Sequence, residues 1–433
     1  MTWKIPLVVA VVLTVLAASW SWAAEGKTLS GPLSLEDAVN MAMIHHPRIV
    51  AARETVQAAE ANYGGSFSSY YPQLTGTWNY RRTTAQGTTQ TDVVPFDFYS
   101  GSVNFTQNVY DFGRREGGVE LSFYNLQSAH YTYQATVNDI VQGAKTTYYG
   151  YLQARENVRV KQETVRQREE LLKQAEAFLE VGTRPRIDVT RAEANLADAR
   201  VQLIQAQNAV AIQRVTLANA LGVRDLPAEV QDIGELEAVR LDLNDAKTKA
   251  MAQRPEILQL EATAKAQESQ LKVDQAGNYP SITFNGDYGR RGTTRSGAAF
   301  PLAINWTAGL NVTLPIFTGF QTTYRVQENK AKIRSLGSQV EEKRQEVLLE
   351  VQQAHLNLNE ARERIAAAEK GVVAAKENLD LATGRYQVGV GSIIEITDAQ
   401  VLYVNAQTVY IQAKTDLKVA EAQLVRSIGA WPL

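Results

Sequence analysis

Two periodicities alternate along this chain. Over long stretches apolar and small residues recur with a helical spacing, and over four short stretches they recur at every second position. Tyr403, Tyr410, Leu417 and Leu424 stand seven apart, with Ala406, Ala413, Ala420 and Ser427 in the complementary seam. Leu196, Leu203, Val210 and Leu217, with Ala199, Ala206, Gln213 and Ala220, repeat the pattern earlier in the chain. A longer stripe runs through Val347, Val351, Ala354, Leu358, Ala361, Ile365, Ala368, Val372, Ala375, Leu379 and Ala382. A 3.5-residue repeat imposes coiled-coil packing, and small residues on alternate rungs let neighbouring backbones approach closely. The stripe is therefore read as packing surface, not as a ligand site. The spacing predicts helices near 115–181 and 322–388, each of about 65 residues and so roughly 100 Å long. It predicts helices of about half that length near 35–67, 187–221, 243–276 and 393–428. Two short helices stacked end to end match one long one, which makes four staves per chain.

The other rule is alternation. Leu74, Gly76, Trp78 and Tyr80 alternate with Gln73, Thr75, Thr77 and Asn79, and Val103, Phe105 and Val109 with Ser102, Asn104, Thr106 and Asn108. Ile282, Phe284 and Tyr288 alternate with Ser281, Thr283, Asn285 and Asp287. Ile304, Trp306, Leu310, Val312 and Leu314 alternate with Asn305, Thr307, Asn311 and Thr313. These are half-buried strands whose length and aromatic content suit membrane strands. They form hairpins at about 71–110 and 279–317, with solvated tips expected at 81–99 and 289–301. Four strands cannot close a membrane barrel, whose smallest members have about eight. Lipid tolerates no open sheet edge. The chain is therefore expected to oligomerise through its strands, two copies supplying eight and three supplying twelve. Trp78, Phe105, Phe284, Trp306 and Leu310 are the expected lipid-facing residues.

Composition narrows the picture. The 433 residues carry 44 Lys and Arg against 46 Asp and Glu, so no bulk attraction to nucleic acid is implied. There is no cysteine, which excludes disulfides, thiol catalysis and thiolate metal sites. Lys4, the apolar run from Ile5 to Ala18 and Ser21-Trp22-Ala23 read as a signal peptide over 1–23, with an exported mature chain. His45, His46, His130 and His355 lack metal-ligand spacing. Asp111-Phe112-Gly113 lacks every other element of the kinase signature it mimics. No nucleophile, acid–base pair or phosphate loop is found, so no enzyme, cofactor or metal is expected.

The second half repeats the first. Leu33-Ser34-Leu35-Glu36-Asp37-Ala38 returns as Leu241-Asp242-Leu243-Asn244-Asp245-Ala246, Tyr71-Pro72 as Tyr279-Pro280, Gly182 as Gly389 and Gly222 as Gly429, at a nearly constant offset. The expected division is a first repeat over 24–222, a linker over 223–240 and a second repeat over 241–433.

With these residues in view, the chain resembles the TolC-like outer membrane efflux proteins along essentially its whole mature length. The carriers are the duplicated Leu-x-Leu-x-x-Ala opening, the Tyr-Pro before each hairpin, Leu314-Pro315-Ile316-Phe317-Thr318-Gly319, and Tyr386-x-Val388-Gly389 followed by Glu395 and Asp398-Ala399. The resemblance implies a mainly helical homotrimer in the outer membrane. Its barrel of twelve strands continues into a tunnel of coiled-coil helices projecting into the periplasm. It implies a passive exit duct for a tripartite efflux pump or type I secretion system. Its partners would be a periplasmic adaptor, an inner-membrane transporter (RND, ABC or similar) and outer membrane lipid. Residues 223–240 and Trp431-Pro432-Leu433 resemble the family's equatorial girdle.

The resemblance places Gly182, Gly389 and Gly391 at the turns of the periplasmic tip and aligns Glu395 and Asp398 with two acidic entrance positions. Asp188 and Arg191 occupy the equivalent positions of the first repeat. Ser392-x-x-Glu395 also reads as a capping box, which alone would account for Glu395. Asp398 lies beyond that box, which favours a lumenal ring of carboxylates selecting cations. The family's second-repeat tip often carries an Arg where this chain has Gly391, and Arg184 and Arg186 are the candidates to replace it. A periplasmic adaptor, which also pairs a coiled-coil hairpin with β structure, is the alternative reading.

Overall fold

The computed structural model describes residues 32–85, 94–226, 229–232, 242–294 and 302–429. The expected signal peptide over 1–23, the extreme hairpin tips, most of the expected linker over 223–240 and Trp431-Pro432-Leu433 lie outside the described residues. One series of elements occurs twice. The first comprises α1 (Leu35–His45), α2 (Pro47–Ser66), β1 (Gln73–Ala85), β2 (Val94–Tyr110), α3 (Arg114–Glu180) and α4 (Arg186–Ala220). The second comprises α5 (Leu243–Gln253), α6 (Pro255–Gln275), β3 (Ser281–Thr294), β4 (Ala303–Thr313), α7 (Gln321–Gln387) and α8 (Ile393–Ser427). The long helices α3 and α7 have 67 residues each, and α4 and α8 have 35 each.

The stretches expected as single helices near 35–67 and 243–276 are each broken in two. Proline crowds the backbone of the residue before it and drives that residue out of the helical region. His46 (φ −67°, ψ 123°) precedes Pro47, and Arg254 (φ −64°, ψ 117°) precedes Pro255. Each then caps the helix that follows or holds the break. His46 Nδ1 accepts a hydrogen bond from the Arg48 amide at 3.2 Å. Its pKa is lowered by burial and then by Arg48, which favours the neutral ring that can accept. Arg254, 2 % exposed, donates to the Ser427 carbonyl at 3.0 Å and pairs with Glu256 at 2.9 Å and Glu350 at 2.8 Å. Arg426 extends this network to Asp139 at 2.8 Å. A buried guanidinium needs several carboxylate and carbonyl partners to offset its desolvation, and here it has them.

Each break receives the end of a later helix. α4 ends at Gly222 (φ +72°), where a Cβ would stand 2.6 Å from the His46 Cα. α8 ends at Gly429 (φ +75°), where a Cβ would stand 2.9 Å from the Arg254 Cα. Glycine is required at both on two counts, backbone sign and contact.

The helices form a wall one layer thick. In one half α2, α3, α6 and α7 lie side by side, and in the other the order is α4, α3, α8, α7. The heptad stripe on α7 is packing, as expected: every member except Ile365 and Val372 is buried. Around the middle of α3, Leu33 bridges Val230 in parallel, and the Tyr148 hydroxyl donates to the carbonyls of Leu33 (3.1 Å) and Gln231 (2.8 Å). The described part of the linker is thus strapped to the waist of the wall. α4 and α7 stand at the two edges. They leave apolar side chains uncovered there, among them Ile204, Ile212 and Val215 on α4 and Leu356 and Val373 on α7.

The strands form a four-stranded antiparallel sheet in the order β1-β2-β3-β4. They run beyond their expected ends. Arg81–Ala85, Val94–Tyr99 and Gly289–Thr294, read from their polarity as loop, are strand, and the ladder continues through Arg81↔Phe98 to Ala85↔Val94. Polarity there marks departure from an apolar band, not the end of hydrogen-bonded pairing. The strand-to-helix joints need left-handed backbone at Phe112 and Gly113 and again at Gly319 and Phe320. Asp111-Phe112-Gly113 is that joint. Asp111 is buried and pairs with Arg115 at 3.2 Å, and the Phe112 ring stacks on Tyr279.

Candidate functional site

The two ends of the molecule carry the features a duct would use. The register places Trp78, Phe105, Phe284, Trp306 and Leu310 on one face of the sheet. Leu74 is opposite Phe105, Phe105 opposite Gly286, Phe284 opposite Leu310 and Tyr288 opposite Trp306. Directly paired residues share a face, so that face also holds Val103, Ile282, Ile304 and Val312. The other face holds Thr75, Thr77, Ser102, Asn104, Thr283, Asp287, Thr307 and Asn311. Its hydroxyls and amides bond to one another, as in Thr77 Oγ1 to Ser102 Oγ at 2.9 Å and Asn104 Nδ2 to Thr77 Oγ1 at 3.2 Å. On the apolar face Trp78 is 73 % exposed and Leu310 68 % exposed. No described helix is long and apolar enough to cross a membrane.

At the other end, α3 turns into α4 and α7 into α8 by the same device. Gly182 (φ +73°) and Gly389 (φ +84°) take the left-handed position after the helix. The Thr183 amide bonds to the Phe178 carbonyl at 3.0 Å, and the Val390 amide to the Arg385 carbonyl at 3.1 Å. These are Schellman closures, in which glycine lets the chain satisfy the last carbonyls while turning back. Both turns sit on a shared core of Leu171, Ala175, Ala192, Leu379, Ile393 and Ile396. At its end is Tyr386, fully buried and edge-on to Phe178 at 5.7 Å.

Arg184 ties the two turns together. Its Nη2 donates to the Gly389 carbonyl at 3.0 Å and to the Gly391 carbonyl at 2.6 Å, and its guanidinium lies over the Tyr386 ring at 5.3 Å. Arg186, the other candidate, opens α4 and is exposed. Gly391 has a steric reason. A Cβ there would stand 2.9 Å from the Tyr386 amide nitrogen and 3.0 Å from the Arg385 carbonyl carbon. A larger residue cannot enter without moving the turn, so the tie between the turns comes from the first repeat.

The acidic residues divide. Ser392 caps α8, its Oγ accepting from the Glu395 amide at 3.2 Å, but the reciprocal half of the expected capping box is not made. The Glu395 carboxylate instead pairs with Arg385 across the turn at 2.8 Å. Cross-turn attraction to a guanidinium has outcompeted the neutral amide. α1 has the complete box, from Ser34 and Asp37. Asp398 is exposed on α8, and Asp188 is half-buried in the first turn of α4. Asp188 lies close enough to Tyr386 that, after burial, it is the next cause of that phenol's raised pKa, with Arg184 opposing it. Asn195 of α4 donates to Thr397 of α8, the residue before Asp398, at 3.5 Å.

The comparisons agree with this layout. Protein CyaE of Bordetella pertussis is 25 % identical over 378 residues, covering 85 % of this chain and 78 % of that protein. The outer membrane efflux protein BepC of Brucella suis is 23 % identical over 314 residues, covering 71 % and 67 %. Among solved structures, the CmeC outer membrane channel of Campylobacter jejuni superposes with a TM-score of 0.83 at 19 % identity, over 91 % of this chain and 85 % of that one. The outer membrane protein VceC of Vibrio cholerae does so with a TM-score of 0.78 at 18 % identity, over 91 % and 96 %. A family model described as outer membrane efflux protein matches residues 38–223 and again 247–430. The adaptor reading has no place beside that double match. The chain has the fold of the solved outer membrane channels and belongs to the outer membrane efflux protein family.

Proposed function

We propose that three copies of this chain close through their sheet edges into one passive duct across the outer membrane and periplasm. The observation that carries the reading is the pair of open edges. β1 and β4 each pair on one side only among the described residues, while one sheet face carries an apolar band. In hydrocarbon each unpaired backbone group costs several kcal/mol, so the edges must meet another copy. Twelve strands and twelve staves then form one continuous wall, and the uncovered apolar residues of α4 and α7 fall on the seams between copies. The apolar sheet face meets lipid and the polar face lines the pore. Residues 1–23 direct export and are removed, and the two repeats, 24–222 and 241–433, are joined by 223–240.

Transport on this reading is steric and electrostatic. The tip formed by the two Schellman turns is the entrance, held narrow by Arg184. A periplasmic adaptor grips the tip, and an inner-membrane transporter of the RND, ABC or a similar class supplies the energy. Asp398, exposed and free of the cross-turn pairing that occupies Glu395, is the residue best placed to present a carboxylate to the lumen, with Asp188 behind it. Three Asp398 carboxylates at one level raise the local concentration of cations.

Planar-bilayer recording tests this. Asp398→Ala lowers cation over anion permeability and weakens block by polyvalent cations, while Glu395→Ala leaves selectivity near the parent value because its charge is already paired. Unchanged selectivity in a properly assembled Asp398→Ala protein would move the filter elsewhere, to Asp188 first.

A further inference from the structure

The apolar face of the sheet carries a concavity of about 580 Å³ in its tip-side half. It is lined by Trp78 of β1, Gly101 and Val103 of β2, Tyr288 and Arg290 of β3, and Leu302 just before β4. The hollow exists because glycines leave gaps in the apolar rows. The Trp78 ring lies over Gly101, where a Cβ would meet its Cε3 at 2.8 Å. Trp78, Gly101, Arg290 and Ile304 form a single row across the sheet. Along the strands the apolar face runs from Ile282 and Val312 nearest the helices, through Phe284 and Leu310, to Tyr288 and Trp306 before the row of Arg290 is reached. From Ile282 to Arg290 is eight strand residues, or about 26 Å along the strand. At the roughly 35–45° tilt of barrel strands this is about 20 Å of membrane height, most of the roughly 25 Å apolar band. Arg290 therefore sits on the lipid side in the outer part of the band, where its long side chain can reach the rim, exposed, and in no ion pair among the described residues. Arg82 on the same face is already engaged by Asp97 at 3.9 Å, which leaves Arg290 as the available cation beside an apolar hollow.

We propose that this groove is a binding site for the phosphorylated glycolipid of the outer leaflet, with an acyl chain against Trp78 and Val103 and a phosphate on Arg290. The occupant follows from position and charge. The hollow lies in the half of the apolar band away from the helices, which on this reading is the outer-leaflet side, and β1 and β2 continue beyond it. A guanidinium forks onto phosphate oxygens with short, charge-assisted hydrogen bonds. An uncharged lipid would use the hollow but not Arg290. The proposal rests on the assignment of the apolar face to lipid, and the test separates the two.

The purified full-length assembly is titrated with lipid A in detergent, bound lipid being counted by native mass spectrometry. In parallel, the assembly in phosphatidylcholine vesicles is quenched with brominated phosphatidylcholine. Arg290→Gln weakens lipid A retention about tenfold, the loss of one charge-assisted contact, and Arg290→Lys recovers part of it. Arg291→Gln removes the neighbouring charge on the opposite face and leaves retention unchanged. Quenching persists in Arg290→Gln and loses a component in Trp78→Phe. Equal losses in Arg290→Gln and Arg291→Gln, or none in Arg290→Gln, overturn the site while the quenching result still stands for the face. Failure of brominated lipid to quench Trp78 overturns the face assignment and the site with it.

Discussion

Leu310→Arg destabilises the assembled protein by about 2–4 kcal/mol per copy, the cost of a guanidinium near the bilayer midplane, while Asn311→Arg is tolerated. The two positions are adjacent on β4 and both exposed in a single chain. What separates them is the pleat. Leu310 stands opposite Phe284 on the apolar face, and Asn311 stands opposite Thr283 on the polar face, bonded to Thr313 Oγ1 at 3.2 Å. Three copies place three charges in the band at once, so the defect in Leu310→Arg reads as loss of assembled protein from the outer membrane. Quantifying the heat-resistant oligomer of each variant checks it. Equal defects for the two substitutions would mean that the faces are assigned the wrong way round.

The other large effect is expected at the tip. Arg184→Ala removes two hydrogen bonds from a charged donor to the Gly389 and Gly391 carbonyls, and with them the contact over Tyr386. Hydrogen bonds to a charged group contribute roughly 1.5–3 kcal/mol each, and these are partly solvated, so about 2 kcal/mol of the closed arrangement is lost. That shifts the closed-to-open ratio by about thirtyfold and appears as larger single-channel conductance. Arg385→Ala is the control. Its pair with Glu395 is exposed on both sides, 57 % and 40 %, and such pairs contribute less than about 1 kcal/mol. If Arg385→Ala opens the channel as far as Arg184→Ala does, the tie between the turns is not Arg184.

The long helices were legible because a heptad stripe is a local pattern repeated many times, so Val347 to Ala382 announces α7 without knowledge of its partners. The alternation of Trp78 or Leu310 with polar neighbours was legible for the same reason. The breaks at His46 and Arg254 were passed over, although each stands before a proline, because the apolar spacing continues across them. The strand extensions near Arg81 and Arg290 were hidden by reading polarity as loop. The partner of the Glu395 carboxylate, Arg385, is hidden from the sequence because it lies across a turn, and a capping box considers only one helix. Arg184 was only one of two candidates for the tip. Its acceptors belong to the other repeat, and only the folded chain brings backbone carbonyls from there within 3.0 Å.

The measurement that bears most directly on the account is the number of chains in the native assembly. Bifunctional cross-linking in intact outer membranes, followed by light scattering on the purified detergent complex, reports it without any substitution. The account predicts a ladder that ends at three chains and a particle of that mass conducting as one pore. A ladder that stops at the monomer, or a stable particle of two chains, would contradict it, because neither closes four-stranded sheets into the twelve-stranded wall on which the duct depends.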